Sequence, residues 1–301
     1  MGSRSPIESS GCLVAPGAPV VQVGLVGRGI QRSQSPKLHV REAAAQGFDL
    51  TYSLIDLDAE PWALVTLAQA LDEVEARGFA GVNITYPFKQ DVLRLVQRLS
   101  PDAERLGAVN TVIFEAGHRV GHNTDWSGFA ENLRRGLPGV RKTRVVQMGA
   151  GGAGAATAYA LCQEGVERLT IFDLDLQRAN SLVDKMNALF GRGRSRVGED
   201  LAADLAVADG LVNATPIGME KYPGSPVPDS LLRPELWVAD IVYVPMETRL
   251  LALARARGCR ILDGGGMAVF QAADAFGLLT GRKADTERMR AAFLRDLEAA
   301  A

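Results

Sequence analysis

Gly149-Ala150-Gly151-Gly152-Ala153-Gly154 follows the predicted strand Thr143–Met148 and opens a helix-period stretch. In that strand-to-helix setting the glycines are suited to a phosphate. The first makes a tight turn, the second lets the backbone approach a pyrophosphate, and the third lets the helix pack closely, while the helix N-terminus adds unpaired N–H groups. Asp173 ends the next apolar run, where a carboxylate accepts hydrogen bonds from adenosine ribose hydroxyls and repels a 2′-phosphate. Leu174 and Asp175 follow it, where a 2′-phosphate site is expected to offer an arginine. The segment predicts a dinucleotide site that takes NAD ahead of NADP. The plainer role for Asp173 is to cap a helix beginning near Gln177.

A second set of residues offers hydroxyls, amides and a lysine–carboxylate couple: Ser33-Gln-Ser35-Pro36-Lys-Leu-His39, Asn83-Ile-Thr85-Tyr-Pro87-Phe-Lys89, Gly107-Ala-Val-Asn110-Thr111 and Asn123-Thr-Asp125. Singly, each has an ordinary explanation. Ser33 and Ser35 read as a Ser/Pro turn before a helix at Lys37, Lys89 as an exposed lysine at a helix start, Asp125 as an N-cap, and Asn83 and Asn110 as amides satisfying strand ends. In order, and continued by Asn213-Ala-Thr215, Asp240-Ile-Val242-Tyr243, Asp263-Gly-Gly-Gly266-Met267 and Gln271-Ala-Ala, they resemble the shikimate dehydrogenases from about Val20 to the C-terminus. Asp173-Leu-Asp175, Pro216-Ile-Gly-Met219, Tyr222-Pro-Gly224 and Pro245-Met-Glu-Thr248 look closer to the NAD-dependent quinate/shikimate branch than to the NADP-dependent biosynthetic enzymes.

The resemblance implies reversible oxidation of shikimate to 3-dehydroshikimate, and of quinate to 3-dehydroquinate. Such a reaction removes a hydroxyl proton as hydride leaves for the nicotinamide, so it needs a base. The resemblance makes Lys89 that base and Asp125 the carboxylate that orients it and binds a substrate hydroxyl. It gives the substrate carboxylate to Ser33 and Ser35, helped by Thr85 and Tyr243, and the ring hydroxyls or the catalytic pair to Asn110, Gln271 and Asn83. Thr215, Gly266 and Met267 are implied neighbours of the nicotinamide half, with Val242 supplying backbone. Glycine at 266 is expected to permit close approach of a ring or carboxamide, whereas Met267 alone reads as core packing. His39, His118 and His122 form no ligand or triad pattern. The alternatives are an NADP-dependent biosynthetic shikimate dehydrogenase, an aminoshikimate or amino acid dehydrogenase, and a catalytically silent NAD-binding sensor. Lys89 with Asp125 argues against the sensor.

These residues need a scaffold that gathers them. The chain has 301 residues, 47% hydrophobic and 23% charged, a globular balance with material for two domains. A formal net charge of −2 gives no basic field for nucleic acid or anionic lipid, and no run reaches the roughly 18 apolar residues of a membrane span. Met1–Pro19 reads as a loose leader without a secretory pattern. Cys12, Cys162 and Cys259 suit neither a disulfide framework nor zinc, so the expectation is a cytoplasmic enzyme without metal, and the family resemblance implies a monomer or homodimer.

Strand Val20–Val26, helix Lys37–Gln46, strand Leu50–Leu57, helix Ala63–Arg77 and strand Gly81–Thr85 form a βαβαβ run, implying a parallel sheet. A hinge is expected around Gly121, before a helix over Trp126–Arg135. Beyond Thr143–Met148 come helix Ala153–Gln163, strand Arg168–Phe172, helix Gln177–Leu189, strands near Leu211, Val238 and Ile261, and helices Val269–Leu279 and Thr286–Leu297. The predicted fold is α/β with two domains: a substrate-binding domain over 20–121 with a mainly parallel sheet, completed by helices in 266–301, and a Rossmann-like NAD-binding domain over 122–265.

Overall fold

A computed structural model describes residues 20–300, so the expected leader lies outside the described residues. The first sheet starts as the pattern dictates, with β1 (Val21–Gly27), α1 (Ser35–Ala45), β2 (Leu50–Asp56), α2 (Leu67–Ala76) and β3 (Gly81–Ile84), β1 lying parallel between β2 and β3. Helix α2 starts at Leu67 and not at Ala63 because a capping box fixes its end: Gln69 N–H donates to Thr66 Oγ1 at 3.3 Å and Thr66 N–H to Gln69 Oε1 at 3.0 Å.

Next come β4 (Arg98–Leu99), α3 (Pro101–Leu106), β5 (Thr111–Glu115) and β6 (His118–His122), which the sequence pattern did not announce. The β5–β6 hairpin lies antiparallel beside β3, giving the order β2-β1-β3-β5-β6-β4 with three parallel and two antiparallel pairings. Its turn puts Ala116 and Gly117 at φ of 50° and 76°. Such turns are usually announced by Asn-Gly or Asp-Gly, and the alanine conceals this one.

Helix α4 (Asp125–Gly136) leads into the second sheet: β7 (Arg144–Met148), α5 (Gly152–Gln163), β8 (Arg168–Phe172), α6 (Leu176–Phe190), β9 (Ser195–Val197), α7 (Leu201–Ala206), β10 (Gly210–Asn213), β11 (Trp237–Asp240), α8 (Arg249–Ala256) and β12 (Arg260–Leu262). Every pairing is parallel, in the order β12-β11-β10-β7-β8-β9. This is the doubly wound arrangement, with its switch point between β7 and β10, where ligands bind outside the carboxyl ends of the strands.

The chain closes with α9 (Gly265–Thr280) and α10 (Thr286–Ala300). Both helices return to the first sheet: Val269, Phe276, Met289 and Phe293 pack with Val23, Leu38 and Leu50, while the other face of that sheet is covered by Leu71 and Val74 of α2. Arg288 of α10 also pairs with the buried Glu42 of α1 at 2.7 Å.

Helix α9 is capped by Gly264 and includes Gly265 and Gly266, so it begins ahead of the apolar period at Val269. It crosses α4 at very short range. A Cβ on Gly128 would stand 2.7 Å from Gln271 N and 2.9 Å from Met267 O, and one on Gly266 would stand 1.8 Å from Asn132 Oδ1. Asn132 therefore occupies the space that a side chain at Gly266 would need. At Gly128 the obstacle is backbone, which cannot swing away. Gly128→Ala is expected to lower stability by roughly 1–3 kcal/mol in urea unfolding, and to lower turnover beyond that loss because α9 is displaced from α4.

Candidate active site

One cavity of about 630 Å³ gathers residues from both sheets and from α9. The loop leaving β1 brings Ser33 to it, and Ser35 opens α1. Ser35 is held by His39 on the next turn, whose Nδ1 lies 2.9 Å from the Ser35 carbonyl oxygen. Burial pushes the His39 pKa down to about 4, so the ring is neutral near pH 7 and donates from Nδ1. The turn after β3 brings Thr85 and Lys89. Phe88 N–H bonds to Thr85 O at 2.9 Å, and Val109 N–H to Lys89 O at 2.8 Å, which ties this turn to the approach of β5.

Asp125 is the first residue of α4, and its carboxylate is shared. Lys89 Nζ donates to Oδ2 at 2.6 Å and Asn110 Nδ2 to Oδ1 at 3.0 Å, with Asp125 mostly buried and Lys89 partly so. Asn110 also gives its second amide proton to Thr124 Oγ1 at 2.9 Å, and its oxygen accepts from Thr124 N–H at 2.8 Å and Thr111 Oγ1 at 3.0 Å. All four hydrogen-bonding positions of its amide are thus used within the protein. Tyr243, after β11, and Met267 and Gln271, one turn apart on α9, complete the walls. Asn83 lies in the wall as well, but its amide already engages Tyr52, Thr111 and the Asn110 carbonyl. Arg28 and Arg32, which the sequence pattern did not single out, also line this cavity, as does Met219. Two arginines close to Ser33 and Ser35 were the available signal.

A second cavity of about 640 Å³ meets the first at Thr85, Tyr86, Lys89 and Ala153, and is lined by Ala150, Gly151 and Gly152. The glycine loop suits a dinucleotide. Gly149 sits at φ 100°, which favours glycine, and a Cβ on Gly154 would strike Gly149 O at 2.3 Å, whereas Cβ positions on Gly151 and Gly152 meet nothing within 4 Å. No side chain caps α5, so its N–H groups remain for an anion. Asp173 accepts Ala150 N–H at 2.7 Å and Asp175 N–H at 2.8 Å, one bond per oxygen, leaving lone pairs for ribose hydroxyls. The cap of α6 is Asp175, which accepts Arg178 N–H at 3.1 Å, so the capping role considered for Asp173 belongs to its neighbour. The fold also brings an arginine where the sequence suggested none. Arg178 stands 3.8 Å from Asp173 and 3.4 Å from Asp175, and lines this second cavity. Thr215, Val242, Gly266, Gly149, Gly154 and Asp173 line neither cavity, although Val242 is flanked by Ile241 and Tyr243, which do.

A doubly wound sheet presenting a glycine loop beside a lysine–carboxylate pair is the layout of a dinucleotide-dependent oxidoreductase. Residues 25–112 match the model of the shikimate dehydrogenase substrate binding domain, and residues 264–292 that of the shikimate 5′-dehydrogenase C-terminal domain. The chain is 53% identical over 274 residues to the shikimate dehydrogenase (NADP(+)) of Streptomyces avermitilis, covering 89% of this chain and 93% of that one. It is 48% identical to the quinate/shikimate dehydrogenase (NAD(+)) of Corynebacterium efficiens, covering 91% and 98%. Quinate dehydrogenase from Corynebacterium glutamicum in complex with NAD superposes with a TM-score of 0.89 at 46% identity, covering 92% and 99%. The chain belongs to the shikimate dehydrogenase family and is an NAD(P)-dependent oxidoreductase of shikimate/quinate type. Among the described residues no helix is long and apolar enough to cross a membrane, and no three His, Cys, Asp or Glu side chains converge as a metal set.

The ends of β10 and β11 in the second sheet rest on another buried carboxylate. Asp240, at the end of β11, accepts Asn213 Nδ2 at 2.9 Å, Val242 N–H at 3.0 Å and Thr248 Oγ1 at 2.7 Å, while Asn213 Oδ1 holds Thr215. One side chain thereby fixes both loops that follow β10 and β11. Burial raises its pKa to about 6 against the lowering effect of the three hydrogen bonds. Because the folded state binds this proton more tightly than the unfolded chain does, the associated stability is present below about pH 4 and is lost as pH rises through about 6. The loss is on the order of 2–3 kcal/mol. Urea unfolding across this range is expected to show that component in the parent and not in Asp240→Asn; parallel pH profiles would contradict it.

Proposed function

We propose that the protein is an NAD-preferring quinate/shikimate dehydrogenase in which Lys89 and Asp125 act directly on the alcohol. The 2.6 Å contact between Lys89 Nζ and Asp125 Oδ2 at the floor of a hydroxyl-lined cavity carries the reading. Bound nicotinamide dinucleotide supplies the hydride acceptor. Lys89 takes the hydroxyl proton during oxidation and returns it to the carbonyl oxygen during reduction, while Asp125 holds the ammonium in place and accepts from a neighbouring ring hydroxyl. Ser33, Ser35, Thr85 and Tyr243 bind the substrate carboxylate, and Gln271 takes a ring hydroxyl. Asn110 serves the ring chiefly by orienting Asp125. The exposed Arg32 gives the cavity mouth a positive edge that favours an anionic substrate.

We assign the substrate to the body formed by 20–121 and 266–301 and the dinucleotide to 122–265, where Gly149–Gly154 hold the pyrophosphate and Asp173 the ribose. Thr215, Val242, Gly266 and Met267 surround or support the nicotinamide. Asp173 and Asp175 engage Arg178 from both sides, which leaves its guanidinium poorly placed to reward a 2′-phosphate and supports NAD. Two relatives named for NAD(+) and for NADP(+) at similar identity make this the point to measure.

Purified protein is expected to reduce NAD with shikimate and with quinate, followed by nicotinamide absorbance, with kcat/KM higher for NAD than for NADP. Equal or reversed cofactor preference would refute the NAD assignment, and no reduction of either cofactor with either acid would refute the substrate assignment. Lys89→Ala is expected to lower kcat by about 10²–10⁴-fold with NAD affinity unchanged. Arg32→Ala is expected to raise KM for shikimate severalfold at constant kcat, an effect that shrinks as salt increases.

A further inference from the structure

We infer that Thr111 is a positioning residue of the reaction: with Asn83 and Asn110 it forms a buried relay that fixes how Asp125 meets Lys89. The inference rests on Lys89 and Asp125 being the catalytic pair. The relay runs from Tyr52, whose O–H donates to Asn83 Oδ1 at 2.8 Å, through Asn83 Nδ2 to Thr111 Oγ1 at 3.0 Å, and from Thr111 Oγ1 to Asn110 Oδ1 at 3.0 Å. Asn110 Nδ2 then reaches Asp125 Oδ1 at 3.0 Å, and Asp125 Oδ2 reaches Lys89.

The polarity of each link follows from its neighbour. Thr124 N–H can only donate, and it points at Asn110 Oδ1 from 2.8 Å, so the amide nitrogen of Asn110 must face Asp125. The single proton of Thr111 goes to that same oxygen, which turns its lone pairs to Asn83 Nδ2. Asn83 must then present its oxygen to Tyr52. Thr111 is wholly buried, and Asn83, Asn110, Thr124 and Asp125 are each no more than 8% exposed. Water is poorly placed to replace a missing partner, and the low-dielectric setting makes each vacancy costly.

Asn110 spends all of its hydrogen-bonding capacity on this arrangement, so its effect on the reaction passes through Asp125. Thr111 supplies one of the two donors that keep its amide oxygen turned away from the carboxylate. With the hydroxyl removed, Thr124 N–H is the one donor left on the amide oxygen, and the two donations from the amide nitrogen, to Thr124 Oγ1 and Asp125 Oδ1, are less firmly aimed. The Asp125 oxygen facing Lys89 then becomes a mixture of orientations, and misplacement at this scale is felt in kcat more than in binding. In the sequence Thr111 is merely the residue after a family asparagine, at the start of a strand. The side of β5 it occupies, next to β3, becomes visible only once the hairpin is known.

Thr111→Val preserves shape and removes the hydroxyl, while Thr111→Ser keeps the hydroxyl. The expected result is a fall in kcat of about tenfold in Thr111→Val, with KM for NAD unchanged and the pH profile of kcat displaced, and recovery to within about threefold in Thr111→Ser. In a double-mutant cycle, Asn110→Ala/Thr111→Val is expected to be no slower than Asn110→Ala alone, because Thr111 acts through Asn110. Should Thr111→Val fail to fold, Thr111→Ala enters the same cycle. A kcat and pH profile equal to the parent, or multiplication of the two single effects in the double variant, overturns the relay. Retention of activity by Lys89→Ala instead overturns the catalytic pair, so the two failures are read separately.

Discussion

The close crossing of α4 and α9 is the constraint on which the rest of the molecule depends. Helix α4 starts with Asp125 and leads into the second sheet, while α9 carries Met267 and Gln271 and seals the first. Gly128 lets α4 approach the backbone of α9 directly and Gly266 admits the Asn132 side chain, and interfaces packed this closely do not deform gradually. The Asp125 carboxylate and the cavity wall formed by Met267 and Gln271 are therefore set by one helix contact. Loops after β1, β3 and β11 then need only deliver hydroxyls and a lysine to a position already defined.

Two buried polar clusters divide the remaining work. On the substrate side, amides and hydroxyls around Asn110 converge on Asp125. On the cofactor side, Asp240 ties the ends of β10 and β11 together through Asn213 and Thr248. Both clusters are satisfied by protein groups, and so can remain buried without an unpaired donor or acceptor. The glycine loop between them is different in kind: its outward Cβ positions are open and its helix is uncapped, which is the condition of a surface awaiting an anion.

Much of this was legible in the residues. A short run such as Val145–Met148, in which Gln147 is the one polar residue, and the glycine spacing at 149–154 specify a buried strand and its turn directly, and the family pattern singled out Ser33, Ser35, Thr85, Lys89, Asn110, Asp125, Tyr243 and Gln271, all of which line one cavity. What escaped had physical reasons. The β5–β6 hairpin turns on Ala116, a residue type that seldom adopts positive φ. Strand β9 is too short for any period to emerge. Arg178 approaches Asp173 only because α6 brings position 178 back beneath the strand end. The packing of Gly266 against Asn132 was also hidden, because that partner is far away in the chain.

The return of α9 and α10 to the first sheet also bears on how the chain is made. Val23, Leu38 and Leu50 are translated well before the residues that cover them, Val269, Phe276 and Phe293. All strands of the second sheet, from β7 to β12, precede α9. On the ribosome the nucleotide-binding half therefore has its whole sheet available while the amino-terminal half still shows an apolar face. That face is a natural client surface for chaperones until α9 and α10 have emerged, and these two helices complete a body begun more than two hundred residues earlier.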